Sequence, residues 1–155
     1  MDALTGMKSK RAWQEKEKML DDQVRQGRGR FAVVVCDING LKKVNDTIGH
    51  EAGDRLIIRA GNYICKTFRY SPIYRIGGDE FAVILEGKDL EEREVLLAEL
   101  QRKMDNQKDN IEKDIPVSIA VGIAVCESTD SCCAEVFRRA DERMYENKVK
   151  MKEKQ

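Results

Sequence analysis

The chain has 155 residues, 41% hydrophobic and 36% charged, which is enough apolar surface for one core at a length expected of a single domain. Lys plus Arg and Asp plus Glu both total 28, so the formal charge is zero. That balance removes the usual electrostatic case for a nucleic-acid or membrane-surface binder, though it leaves room for a local cationic pocket that takes a phosphate ligand.

No apolar run approaches the roughly 20 residues of a bilayer span, and Met1 to Gly6 lacks the basic start and apolar stretch of a secretory signal. The five cysteines follow no zinc or disulfide spacing. Cys36, Cys65 and Cys126, in apolar surroundings, read as reduced core residues of a cytosolic protein; adjacent Cys132 and Cys133 read as lying near the surface. With two prolines, no low-complexity segment and no internal repeat, residues 1–155 are expected to form one domain without a linker.

Residues 7–26 predict a helix with a thin apolar stripe of Trp13, Met19, Leu20 and Val24, ended by Gly27 and Gly29. Phe31 to Cys36 is a β-branched apolar run, hence a buried strand. Asn39 to Asp46 suits a short helix with Asn39 as its N-cap. After a break at Gly49-His50, residues 52–68 carry Leu56, Ile57, Ala60, Ile64 and Phe68 at helical spacing. His50 has no Cys or His partner at ligand spacing and reads as a loop-to-helix packing residue.

Ile73 to Ile76 and Phe81 to Leu85 predict two strands joined as a hairpin through Gly77-Gly78-Asp79-Glu80. Leu90, Leu97, Leu100 and Met104 mark another amphipathic helix. Residues 117–126 alternate large (Val117, Ile119, Val121, Ile123, Val125) with small (Ser118, Ala120, Gly122, Ala124, Cys126). A small face lets a helix lie close, so this strand is expected to be central. A last helix from about 132 carries Val136, Phe137, Ala140 and Met144. The hairpin makes the sheet of this α/β chain at least partly antiparallel, unlike a doubly wound fold. No strand leads into G-x-G-x-x-G or G-x-x-x-x-G-K-[ST].

Asp37 stands where the first strand ends, and Asp79 and Glu80 stand in the hairpin tip. If those strands are neighbours, Asp37 and Asp79 face each other, and such a pair favours a hard divalent cation, Mg²⁺ above all. Two metals held this way can activate a hydroxyl and neutralise charge developing on a phosphate. The plainer reading makes Asp37 a helix cap and Asp79-Glu80 turn residues. Lys42, on the first turn of the short helix, would add a point charge beside free backbone N–H groups. Asn45 and Asp54 offer an amide and a carboxylate suited to a guanine edge; taken singly, each also suits a turn or a helix start.

Four motifs resemble the GGDEF family over nearly the whole chain: Asp2-Ala-Leu-Thr-Gly6; Asp37 to Asp46 with Gly49-His50 and Gly53-Asp54; Arg75-Ile-Gly-Gly-Asp-Glu-Phe81; and Ala140-Asp141, Tyr145, Lys148. The resemblance implies a palm-like nucleotide cyclase fold with a central, mainly antiparallel sheet flanked by helices. It implies a diguanylate cyclase that condenses two GTP into cyclic di-GMP across a homodimer. By the same resemblance Asp37, the Ile38 carbonyl and Asp79 hold Mg²⁺ or Mn²⁺, with Glu80 either a further ligand or a proton acceptor. Asn45 and Asp54 match guanine readers, Lys42 and Lys148 match phosphate binders, and Gly77 and Gly78 belong to the substrate-binding hairpin. Lys148 lies one turn past Met144 on the same stripe, pointing inward. Asp2 is expected to be structural, as a cap before the first helix and in an ion pair with Arg75. A sensor or dimerisation module is expected before residue 1 and is missing from this chain.

Asn39 stands where many members have Asp, and Lys152 where an Arg commonly touches phosphate; a Lys gives a point charge in place of a fork. The inhibitory Arg-x-x-Asp upstream of the hairpin is replaced by Phe68-Arg-Tyr-Ser71, so inhibition by product through that site is not expected. The alternative is a catalytically silent GGDEF domain that binds GTP or a protein partner. Retention of Gly77 to Phe81 speaks for activity, and Asp54 speaks for guanine over a cyclase that accepts ATP on one side.

Overall fold

The computed structural model describes residues 1–107 and 115–153. Its sheet is built on β1 (Ala32–Ile38), whose apolar run is buried on both faces as far as Cys36. β1 pairs antiparallel with β3 (Glu80–Leu85) on one side and with β4 (Ile119–Val125) on the other; β2 (Ile73–Arg75) pairs antiparallel with β3. The order is β2-β3-β1-β4. Among the described residues β4 is therefore an edge strand, and the expectation that it is central fails.

Its alternation is nonetheless the reason for the layering. Even-numbered β1 residues Ala32, Val34, Cys36 and Ile38 pack with α2 (Leu41–Thr47), α3 (His50–Thr67) and α5 (Arg93–Asp105). Odd-numbered Val33 and Val35 pack with α1 (Lys10–Arg25) and α6 (Cys133–Glu153). On β4 the large side chains face the first layer and Ala120 and Ala124 face α6. A Cβ at Gly122 would come within 2.1 Å of the Ala140 carbonyl oxygen and 2.2 Å of the Met144 nitrogen, so α6 lies on the strand at a distance only glycine permits. The outer edge of β4 is covered from the same helix by residues one turn apart. Arg139 Nη2 donates to the Val125 carbonyl (2.9 Å), Arg143 Nη1 to the Ile123 carbonyl (2.7 Å), and Asn147 Oδ1 accepts from the Val121 N–H (2.8 Å). These bonds remove the unpaired edge that invites strand addition.

Local departures have local causes. α1 starts at Lys10 with Ser9 as its cap, and Met19 is exposed while Trp13 and Leu20 are buried. α2 is capped by Gly40 at φ +78°, not by Asn39, whose side-chain amide instead donates to Ser118 Oγ at 2.9 Å. The helix read from Leu90 to Met104 breaks into α4 (Gly87–Glu91) and α5. Asp89 of α4 is buried, accepting from the Tyr70 N–H (3.1 Å) and the Ser71 hydroxyl (2.6 Å). His50 opens α3 exposed, so it is not a packing residue. Cys65 is exposed and Cys133 buried, the reverse of expectation, because Cys65 falls on the outer face of α3 and Cys133 begins α6 beneath α1.

Gly122→Ala should therefore destabilise the protein by about 1–3 kcal/mol, since the contacts are backbone and cannot rotate away. Urea unfolding would show a lowered midpoint at an unchanged slope; an unaltered midpoint would mean that α6 is not held this closely.

Candidate active site

The register of β1 against β3 sets Asp37 directly opposite Glu80. Side chains opposite each other share a face of the sheet, and alternation puts this pair on the α6 side. The next β1 residue, Ile38, donates its N–H to the Asp79 carbonyl at 2.8 Å, holding the hairpin tip against the end of β1. Like charges placed opposite on adjacent strands are destabilising. Here burial, then Asp79, push the Asp37 carboxyl up to about 6 against the pull of Lys148. Burial, then Asp141, Asp37 and Asp79, push Glu80 up to about 7.

Among the described residues one cation pairs with this cluster. Lys148 Nζ lies 3.2 Å from Asp37 Oδ2, confirming the inward direction read from the helical stripe. The other oxygen, Asp37 Oδ1, is buried without a hydrogen-bond partner among the described residues. Asp141, on α6 beside Glu80, was read in the sequence only as part of a motif; helical spacing from Lys148, seven residues on, carried the signal that both share one face.

An unpartnered buried carboxylate oxygen is a costly arrangement in the free protein and suits an oxygen-seeking cation. Among the described residues no three His, Cys, Asp or Glu side chains form a cage that would hold a metal by themselves. That fits Mg²⁺, which is usually held by one or two carboxylates together with substrate phosphates rather than by an all-protein shell. The donor set therefore suits a cation that arrives with a phosphate ligand.

Gly77 and Gly78 are exposed at the hairpin tip. Neither has the left-handed φ seen at Gly40 or Gly49, and a Cβ at Gly78 would meet nothing within 4 Å. Turn geometry does not demand glycine here; a bare backbone that a ligand can approach closely is what it provides. Arg75 secures the tip by donating to the Gly78 carbonyl (3.0 Å) and to Asp2 (3.2 Å). Asp2 in turn accepts from the Thr5 N–H (2.9 Å) and hydroxyl (2.7 Å), closing its own turn, not capping α1. Burial raises the Asp2 carboxyl, but the bonds from Thr5 and the Arg75 charge outweigh it, and the net direction is down.

α2 meets α3 closely at Asn45: a Cβ at Gly53 would come within 1.8 Å of Asn45 Oδ1. Asp54 follows Gly53 on the first turns of α3 and is exposed. Lys42 is exposed on α2 and Lys152 exposed near the end of α6. The structure thus gathers Asp37, Asp79, Glu80 and Lys148 at one sheet end, while Asn45 sits at the α2–α3 crossing and Asp54 on the α3 turn that begins there.

A family model described as "Diguanylate cyclase, GGDEF domain" matches residues 1–154. The probable diguanylate cyclase DgcT of Escherichia coli K12 is 36% identical over 122 residues, 76% of this chain and 27% of that protein. The chain spans less than half the length of the curated relatives it matches. The fold is similar to that of the GGDEF domain of DgcB from Caulobacter crescentus, solved with c-di-GMP, at TM-score 0.80 and 24% identity, covering 96% of this chain and 90% of that one. It is also similar to the FimX GGDEF domain of Pseudomonas aeruginosa, at TM-score 0.85 and 18% identity, covering 97% and 94%. The four-stranded antiparallel sheet and its helices are those of the palm-like nucleotide cyclase fold.

Asp2→Ala should cost about 1–3 kcal/mol, because it leaves the partly buried Thr5 donors and the Arg75 guanidinium without their charged acceptor. Because the folded-state carboxyl lies below its ordinary 3.8, this stability is present above that pH and disappears as pH falls through the folded value. Unfolding of wild type and variant at neutral and acid pH should show the gap closing on acidification. A gap that is the same at both would remove Asp2 from the support of the hairpin.

Proposed function

The chain belongs to the GGDEF family of diguanylate cyclase domains, and on that premise we propose that it condenses two GTP into cyclic di-GMP with release of pyrophosphate. The observation that carries this reading is the acidic cluster: Asp37 and Glu80 opposed across the sheet, Asp79 beside them, and Asp37 Oδ1 buried and unpartnered. In this reading residues 1–155 are one GGDEF domain acting in the cytoplasm.

Asp37, the Ile38 carbonyl, Asp79 and Glu80 would hold Mg²⁺ or Mn²⁺. Bound there with the nucleotide, the ion supplies charge neutralisation at the α-phosphate and eases ionisation of the attacking 3′-hydroxyl. Glu80, whose carboxyl burial and the neighbouring acids push up to about 7 in the metal-free protein, would either complete the ion's ligands or, left outside them, receive the hydroxyl proton. Lys148, already against Asp37, and exposed Lys42 supply positive charge for the phosphates. Asn45 and Asp54 read guanine, Asp54 accepting from N1–H and the exocyclic amine. Gly77 and Gly78 keep the hairpin backbone open to the nucleotide. Each GTP offers its 3′-hydroxyl to the α-phosphate of the other, so catalysis takes two copies of the domain and consists mostly of positioning and charge neutralisation.

Incubation with GTP and Mg²⁺ at high protein concentration, followed by chromatography, should yield cyclic di-GMP. Asp79→Asn should abolish that product while leaving thermal unfolding unchanged, because it removes a charge but keeps the shape of a turn. Bound GTP with no product from the wild-type chain would establish the silent regulatory module instead.

A further inference from the structure

On the face of the sheet opposite the acidic cluster, between α3 and α5, lies a cavity of about 510 Å³, within the size range of small-molecule sites. Among the described residues four cations line it, Arg59, Lys66, Arg102 and Lys103, and no carboxylate does. In a chain of zero formal charge this is a marked local excess. None of the four makes an ion pair among the described residues.

Two of the four are already positioned. Arg59 donates to the Ile115 carbonyl, and Lys103 Nζ donates to Thr67 Oγ1 at 3.1 Å. Lys66 and Arg102 are exposed, and neither side chain makes an ion pair among the described residues. Burial lowers the Lys103 ammonium; Glu99 opposes this, while Arg69, Lys66 and Arg102 add to the fall, so these cations lie close enough to repel one another. Attraction to the carbonyls ending α3 and α5 favours Lys66, Arg102 and Lys103 individually. It does not require them to surround one cavity together with Arg59 from the middle of α3. The remaining lining adds what a flat, polar-edged ring would use. Tyr63 presents a half-buried ring packed on the core, and the Asn62 and Asn106 side chains make no hydrogen bond among the described residues.

We propose that this cavity binds a nucleoside phosphate, with the phosphate against Lys66, Arg102 and Lys103 and the base against Tyr63 between the two free amides. The site is separate from the acidic cluster and does not depend on the catalytic reading. Titrating the ¹⁵N-labelled chain with ADP in the presence of EDTA at low salt tests it. Saturable shifts should appear on residues 59–66 and 102–107 and leave 77–80 unmoved. Pyrophosphate should bind more weakly than ADP. The double variant Lys66→Gln, Arg102→Gln should keep its thermal midpoint and lose affinity about tenfold or more. Absence of shifts on the two helices, shifts confined to 77–80, or undiminished binding by the double variant would each overturn the site. Equal affinity for pyrophosphate and ADP would overturn the nucleoside part of the proposal.

Discussion

Everything at the sheet end follows from one register: Asp37 of β1 directly opposite Glu80 of β3, with Asp79 one residue away on the turn. A strand pair chosen for stability alone would not oppose two carboxylates on a half-buried face. Lys148 offsets part of this cost at one Asp37 oxygen, while the other has no hydrogen-bond partner among the described residues. The pair is held in place by an otherwise ordinary ladder of apolar residues, Ala32 to Cys36 on β1 against Phe81 to Leu85 on β3, buried on both faces. A rigid sheet is thus what keeps the carboxylates from relaxing apart, and departure from local stability rules at such a position is the usual mark of a working site.

The approach of α6 is the second half of that constraint. The small face of β4 allows the helix to lie against Gly122, and this closeness brings Lys148 to Asp37 and Asp141 near Glu80. The same helix covers the outer edge of β4 with Arg139, Arg143 and Asn147. One packing decision, small residues at alternate strand positions, therefore serves edge protection and the electrostatics of the cluster together.

Much of this was legible in the sequence. The all-apolar run of β1, the hairpin around Gly77-Gly78 and the alternation of β4 are patterns of period and turn chemistry, and each appears where it was read. The inward direction of Lys148 followed from helical spacing. What failed depended on neighbours that lie far away in sequence. Asn39 looked like a cap, yet Gly40 takes the left-handed cap conformation and Asn39 is drawn off by Ser118 across the sheet. A small face on β4 signals a close helix, but that signal is silent on how many strands pair beside it. Cys65 and Cys133 exchanged environments because burial depends on which helix face meets the core, and a lone cysteine does not reveal that. The cation-lined cavity between α3 and α5 was equally illegible, since Arg59 and Arg102 lie 43 positions apart in the numbering and meet only through tertiary packing.

The central claim is that Asp37 and Asp79 form one cation site completed by a nucleotide, and metal affinity measures it without reliance on turnover. Mn²⁺ binding followed by electron paramagnetic resonance, with a non-hydrolysable GTP analogue present, is the direct experiment. The account predicts saturable binding to the wild-type chain that falls by about tenfold or more in both Asp37→Asn and Asp79→Asn. Wild-type affinity in either variant would contradict it.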